Sequence, residues 1–478
     1  MADYDMVVIG SGSTGFHAAR VASMRDKRIA LIEGGDDFGG LCILRGCMPT
    51  KAMLRSAEVI QLIREAGELA IDVPEPVLDW RGVVERRDRL VRGFADYRFD
   101  AAKALPRVDI IRGLASFESP SSVLVNGRSI TADKFVIATG SSIWKPPAPG
   151  LDEVGFITSD DAQTLDSLPG SLLVFGGGAI AMEFSQLFQR FGVQVTVLQR
   201  SSYILSKMDQ DISIETQRVL ESEGVRFVTS SKVMRFKMDD GLKSCVVETP
   251  AGVERFSAEE VLCAVGRNPT IESLNCKAGG VRCDNGYVVV DETLQTSNPR
   301  IYAGGDVIGG ASIKTRQLVH VAVQQGEIIG HNAFADEPRK FDDRLIPEAV
   351  FTDPAIGAVG LTEREARAEG REILTALYRF DDQGKAIVMN EMDGFVKMIA
   401  DAESGEILGV HIIGPEGADL IHEAVVAMYY RATVAEFVEI PHLHPTLAEI
   451  LIDPAEDILD QMRSVSTADA VESSAAAS

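Results

Sequence analysis

The chain has 478 residues, room for about three domains at roughly 150 residues each. Lys and Arg number 47 against 71 Asp and Glu, a formal net charge of −24. That charge argues against nucleic acid or an anionic membrane face as the main partner, because both would repel it. Hydrophobic (45%) and charged (25%) residues stand at ordinary globular levels, and there are six cysteines. Global disorder and a disulfide scaffold are thereby excluded, and the expectation is a soluble, acidic, multidomain enzyme.

The N-terminus, MADYDMVVIG, enters an apolar strand at once, without the basic stretch and cleavage site of a targeting segment. No run of about 18 apolar residues predicts a membrane span. The expected compartment is the reducing cytoplasm. There, a close cysteine pair is more often catalytic or metal-binding than structural.

An internal repeat organises the chain. In the first copy a strand, Met6–Ile9, enters a turn at Gly10, Gly12 and Gly15; a helix and a second strand, Ile29–Ile32, follow, ending at Glu33. In the second copy a strand, Leu172–Phe175, enters Gly176, Gly178 and Ala181; a helix and the strand Val193–Leu198 follow, ending at Gln199. The interval from first glycine to strand end is the same in both. A glycine turn between strand and helix admits a pyrophosphate to the helix N-terminus, and a carboxylate at the next strand end accepts from a ribose. Glu33 fits that role. In the second copy Gln199 and Arg200 replace the carboxylate. This removes a charge that would repel a 2′-phosphate and offers an arginine to bind it, so NADP is favoured over NAD. The bland alternative for Arg200 is a solvated surface charge; Lys207 lies nearby in sequence.

Between the copies, GGLCILRGCMPTK carries Cys42 and Cys47. Zinc sites favour tighter spacing and a second ligand pair, which is lacking. The pair opens a predicted helix, whose N-terminus favours the thiolate that redox exchange needs. Cys245 and Cys263 sit in apolar runs and are expected to be buried, while Cys276 and Cys283 are isolated. The stretch ADKFVIATGS reads as a strand and turn, and Pro146, Pro147 and Pro149 mark a crossing between domains. Beyond about residue 340, GFVKMIAD and ILGVHIIG alternate with period two and GADLIHEAVVAMYYRA is helical, which suggests an α+β domain. The small, polar end SVSTADAVESSAAAS reads as a disordered tail.

These motifs resemble the flavoprotein disulfide reductases of the dihydrolipoyl dehydrogenase and glutathione reductase type. The resemblance runs from Asp5 to about Met462. Its motifs are GSGSTG, GGLCILRGCMPTK, ATG at Ala138–Gly140, GGGAIAMEF, VGRNP, IYAGGDV, FTDPAIGAVGLT and HLHPTLAE. It implies an α/β fold: two Rossmann-like dinucleotide-binding domains plus a C-terminal α+β dimerisation domain. The implied boundaries are 1–145 with 268–338 for FAD, 146–267 for NAD(P), 339–464 for the interface and 465–478 for the tail.

The resemblance also implies roles. Gly10, Gly12, Gly15, Glu33, Gly40, Thr139, Gly140, Gly305 and Asp306 would hold FAD, Asp306 on the ribityl side. Gly176, Gly178, Ala181 and Arg200 would hold NAD(P)H, and Gly266 and Arg267 would also bind cofactor. Cys42 and Cys47 would form the active disulfide, Cys47 against the flavin and Cys42 facing a small-molecule disulfide substrate. Lys51 would pair with Glu183 near the flavin. His444, oriented by Glu449, would be the acid–base group, supplied by the partner subunit of a homodimer. No metal is implied. His442 reads as packing, and the other five histidines show no comparable constellation.

Departures from the family pattern leave other readings open. Leu41 and Leu44 replace a usual threonine and asparagine beside the cysteines, and Arg45 adds a cation that could lower a thiol pKa. Ala179 stands where glutathione reductases carry an aromatic gate, and Arg20 matches a glutathione-contacting arginine or is simply an exposed helix residue. The chain lacks the C-terminal cysteine pair of mercuric reductases and large thioredoxin reductases. An NAD(P)H:quinone reductase, oxidase or transhydrogenase is one alternative; a structural subunit of a larger complex is another.

Overall fold

In the computed structural model the described residues are 2–309, 313 and 315–476, with 465–476 described by their backbone alone. The first sheet joins β1 (Tyr4–Ile9), β2 (Ile29–Glu33), β3 (Val108–Arg112), β4 (Ala115–Ser119), β5 (Ser122–Val125) and β6 (Arg128–Ile137) in the order β3-β2-β1-β6-β5-β4. The strands β3, β2, β1 and the C-terminal half of β6 run parallel, and Ile301–Ala303 returns to pair with β6 on its other edge. The residues Met6–Val8 and Ile29–Leu31 are fully buried, as a parallel strand covered on both faces should be. One cover is α1 (Ser13–Ser23), which lies against the helix Val319–Asn332. They approach closely: a Cβ added at Gly326 would fall 2.4 Å from the Thr14 carbonyl oxygen.

The second repeat copy builds a four-stranded parallel sheet in the spatial order Arg226–Val228, Gln194–Leu198, Ser171–Phe175, Glu260–Cys263. A three-stranded antiparallel sheet, Lys232–Ala258, is inserted before its last strand. Strand starts differ from the sequence reading by one or two residues, within the ordinary fraying of element ends.

The C-terminal unit is a five-stranded antiparallel sheet with Ile407–Gly414 at its centre, between Ala355–Gly360 and Phe395–Asp401. The period-two stretches are strands of an α+β unit, as expected, but they are buried on both faces. Every residue of Phe395–Ala400 and Ile407–Gly414 is buried. One face packs Val396, Met398, Val410 and Ile412 with the helices Gly417–Tyr429 and Ile452–Ala476. The other sets Phe395 and Ile413 against Phe188 and Ile212 of the second unit. Lys397 lies on that second face, 4% exposed, and its Nζ donates to Asp209 (2.9 Å), Asp211 (2.6 Å) and Glu363 (2.9 Å).

The expected disordered tail is corrected. Helical backbone continues from Ile452 to Ala476, well past residue 464, and residues 477 and 478 lie outside the described part. Past residue 464 the stretch contains neither Gly nor Pro, so nothing in its composition breaks the helix that Ile452 begins. No helix among the described residues is long and apolar enough to cross a membrane.

Candidate active site

The cysteine pair is made by a chain reversal. The short helix α2 (Gly40–Leu44) carries Cys42, and α3 (Cys47–Glu65) starts on Cys47. Between them the Arg45 and Gly46 N–H groups both donate to the Leu41 carbonyl (2.9 and 2.7 Å). A Cβ at Gly46 would lie 3.0 Å from that oxygen and 3.2 Å from Cys42 Cα. Glycine spares the link this crowding, and the fold-back brings the two thiols together. Both are free and half-buried.

The surroundings split the two thiols. Cys42 donates a hydrogen bond to Cys47, which with help from the Lys51 ammonium lowers Cys47 to about 7 against the pull of burial. The same hydrogen bond, together with burial, drives Cys42 far up. As Cys47 is the first residue of α3, unpaired helix N–H groups also face it. The first proton of the reduced pair therefore leaves from Cys47. Arg45 takes no part: it faces Asp160 at 3.7 Å and is largely exposed. The cation acting on both thiols is Lys51, one turn into α3.

Lys51 Nζ donates to both oxygens of Glu183 (2.9 and 2.8 Å) and lies 4.4 Å from the Phe351 ring centroid. Glu183, buried, also accepts from the Phe351 N–H at 3.0 Å. It belongs to the helix Ala179–Arg190 that follows the second glycine turn. One ion pair thus joins the cysteine helix to the second nucleotide unit and to the C-terminal unit.

At the first turn, Gly10 has φ +104°, and a Cβ there would fall 2.2 Å from the Ala138 carbonyl oxygen. Gly15 packs back on Gly10, and Gly12 faces Gly40 with no side chain between them. Glu33 accepts from the Ser11 N–H (3.2 Å), the Ser11 hydroxyl and the Gly35 N–H (2.6 Å). Opposite, Thr139 donates from its hydroxyl to the Thr270 carbonyl (2.6 Å), and the Thr270 N–H donates to Gly140 O (2.9 Å). The Gly305 N–H donates to Gln325 (2.7 Å). Burial raises the Asp306 carboxyl, against the Ser141 hydroxyl that donates to it at 2.7 Å. Arg267 braces that contact, donating to the Ser141 hydroxyl and carbonyl (both 2.9 Å). Arg267 therefore serves the Asp306 corner of the first unit.

The second turn is more open. Gly176 (φ +122°) is fixed by the Ala264 carbonyl, 2.4 Å from where a Cβ would be. A Cβ at Gly178 or Gly266 would meet nothing within 4 Å. Ala181 is buried, and Arg200 is exposed, making no hydrogen bond or ion pair among the described residues.

His444 stands apart from the cysteines. Its side chain is 80% exposed and no contact joins it to Cys42 or Cys47 within one chain. Its Nδ1–H donates to Glu449 at 2.9 Å. The Thr446 N–H, then His444, hold the Glu449 carboxyl below the usual carboxylate range. With Nδ1 donating to Glu449, Nε2 has no hydrogen-bond partner among the described residues. Leu443, Tyr430 and Tyr429 of the same unit are large exposed apolar side chains. His442, read as packing, is packed: its side chain is buried against the Phe437 ring at 5.9 Å, and Glu423 pairs with it at 2.6 Å.

Sequence reasoning missed several residues here. Gly46 and Ser141 carry no motif signal of their own. Arg98, on α4 (Trp80–Lys103), stacks its guanidinium 4.4 Å from the Phe16 ring and lies in the field of Cys42; its buried Nη1 has no hydrogen-bond partner among the described residues. Arg20 proves neither free nor simply exposed: it donates to Glu327 at 2.5 Å.

Two dinucleotide-type turns, a contacting thiol pair between them and a third α+β unit define the flavoprotein disulfide reductase fold. Residues 4–326 match the pyridine nucleotide-disulphide oxidoreductase family and residues 346–455 match its dimerisation domain; the chain belongs to this family. It is 34% identical over 448 residues to a mercuric reductase of Staphylococcus aureus, covering 94% of this chain and 81% of that one. It is 34% identical over 469 residues to a dihydrolipoyl dehydrogenase of Bacillus subtilis (strain 168), covering 95% and 97%. Among solved structures it resembles the HOCl-induced flavoprotein disulfide reductase RclA from Escherichia coli, with a TM-score of 0.84 and 28% identity over 95% of this chain and 99% of that one.

Proposed function

We propose that this protein is an FAD-dependent NAD(P)H:disulfide oxidoreductase that prefers NADPH and reduces a small-molecule disulfide in the cytoplasm as a homodimer. It would thus act on a sulfur group with NAD(P) as coenzyme. The observation that carries the reading is the Cys42–Cys47 contact, set beside the Lys51–Glu183 ion pair where the two nucleotide units meet. The cradle between Gly12 and Gly40 and the buried Asp306 fit FAD: Glu33 would meet the adenosine ribose, and Asp306, whose second oxygen carries no hydrogen bond among the described residues, a ribityl hydroxyl. FAD bound there supplies the relay for hydride and electron transfer between nicotinamide and thiols.

The chain's own residues then divide the work. Cys47 holds the negative charge of the reduced pair, steadied by Lys51. Cys42, protonated while Cys47 is charged, needs a base before it can attack a disulfide sulfur. His444, exposed and with its Nε2 free, suits that task if the partner subunit presents it to Cys42. Arg200, unpaired at a strand end, supports a 2′-phosphate contact.

Cys47→Ser tests the reading. Flavin content should stay at the parent level while NADPH-driven turnover on a panel of lipoamide, oxidised glutathione and other disulfides falls roughly a thousandfold or more. Disulfide turnover that survives the change would overturn it. Quinone turnover surviving loss of both thiols, with no disulfide activity in the parent, would favour the other-acceptor reading that Leu41 and Leu44 suggest.

A further inference from the structure

The cysteines expected to be isolated, Cys276 and Cys283, are neighbours in space. Both thiols are free, half-buried and packed on the core of the first unit. The chain between them turns back on itself: the Val281 N–H donates to the Cys276 carbonyl at 2.9 Å and the Gly280 N–H to Lys277 O at 3.1 Å. Two outside anchors pin this turn. Asn298 donates to the Gly279 carbonyl (2.7 Å), and Ser297 donates to Gly280 O and accepts from the Arg282 N–H (both 2.8 Å). The thiols are within hydrogen-bonding reach of each other.

The turn leads directly to the FAD corner. Cys283 pairs across a two-residue ladder with Val288. The Val288 N–H in turn donates to the Val307 carbonyl (3.0 Å), and Val288 bridges Ile308. Val307 follows Asp306. One hairpin therefore separates this thiol pair from the carboxylate placed on the ribityl chain.

We propose that Cys276 and Cys283 are a second redox-active dithiol, which closes by exchange with a small-molecule disulfide and tightens the hairpin beneath Asp306. The Cys283 thiolate attacks one sulfur of the disulfide RSSR; its S–S bond breaks and one RSH leaves with a proton. The Cys276 thiol then loses its proton and attacks Cys283 Sγ, which expels the second RSH. The protein dithiol is oxidised by two electrons and RSSR is reduced to two RSH. Cys283 goes first because burial pushes Cys276 up to about 12, reinforced by the neighbouring Cys283 charge and by the hydrogen bond that Cys276 donates. Once Cys283 is bonded to sulfur, that neighbouring charge no longer opposes loss of the Cys276 proton.

The test uses the reduced, FAD-loaded full chain and oxidised glutathione, with no nicotinamide coenzyme. Trypsin cuts after Lys277 and Arg282, so closure links peptide 268–277 to peptide 283–300. That linked species should appear in non-reducing mass spectra and vanish with reductant. In Cys276→Ser a glutathione adduct should persist on Cys283; in Cys283→Ser, Cys276 should stay unmodified. The closed protein should release FAD on dilution more slowly than its own reduced form, while Cys276→Ser/Cys283→Ser should show no difference between the two treatments. Absence of the linked peptide after Cys42 and Cys47 have closed overturns the dithiol. An adduct on Cys276 in Cys283→Ser overturns the order of attack, and equal FAD release overturns the coupling to Asp306. None of these readouts uses turnover, so they stand or fall independently of the disulfide reductase reading.

Discussion

The two glycine turns descend from nearly the same sequence pattern, yet the fold uses them differently. The first is closed. Gly10 is trapped under the Ala138 carbonyl, Glu33 is held by Ser11 and Gly35, and α1 is wedged against Val319–Asn332. In the second, Gly176 is tight against backbone and Gly177 against the Gln199 side chain, while Gly178 faces open space and Arg200 has no partner among the described residues. A closed turn suits a cofactor that stays bound. An open one suits a coenzyme that must arrive and leave at every turnover, since fewer groups have to be ordered or freed each time.

This contrast can be broken most forcefully at the glycines. Gly10→Ala places a methyl group 2.2 Å from a backbone oxygen at φ +104°, where an L side chain is also strained. The expected outcome is protein that fails to retain flavin, read by its visible absorbance after purification, with the melting temperature lowered. Gly178→Ala meets no protein atom. It should keep the flavin and the melting temperature and raise KM for NADPH a few-fold. Loss of flavin or a lowered melting temperature in Gly178→Ala would overturn the open reading of the second turn.

A smaller effect sharpens the same contrast at the strand ends. A charge-assisted contact to a 2′-phosphate contributes about 1.5–3 kcal/mol. Arg200→Gln should therefore lower kcat/KM for NADPH by roughly 10–100-fold and leave NADH within about twofold. Equal losses with both coenzymes would sink the Arg200 argument.

What could be read ahead of the structure was local. The spacing of Gly10, Gly12 and Gly15 to Glu33, and of Cys42 to Cys47, is set by residues adjacent in the chain. What could not be read joins distant segments. Arg267 could be read only as a cofactor-binding residue; that its guanidinium reaches Ser141, 126 positions away, is a contact no local pattern shows. Lys397 sits in a stretch read only as alternating with period two; that a helix of another unit covers its second face and supplies Asp209 and Asp211 as partners could not be read there. Binary patterning reports how many faces are polar. It does not report that a lysine will be buried with three carboxylates.

The two units meet at Cys47, and the smallest expected effect probes that junction. Lys51 comes from the first unit and Glu183 from the helix that follows the second turn. Lys51 is one of the groups holding Cys47 at about 7, after the Cys42 hydrogen bond and against burial. Replacing it by methionine keeps much of the side-chain volume and removes the charge. It also leaves the buried Glu183 carboxylate beside the site, which disfavours a thiolate further. In Lys51→Met the pH midpoint for alkylation of the reduced pair by iodoacetamide should rise by about 1 or more. The sign for stability follows from the same depression below the ordinary thiol value of 9.0. The reduced parent carries a stabilising contribution that is complete above about pH 9 and lost as pH falls through about 7. The variant should lose part of that contribution, so parent and variant melting temperatures should differ more at pH 9 than at pH 6 by whatever the thiolate contributes. An unmoved alkylation midpoint would mean that the Cys42 hydrogen bond alone sets the thiolate, and that the contact between the two units serves architecture rather than the redox pair.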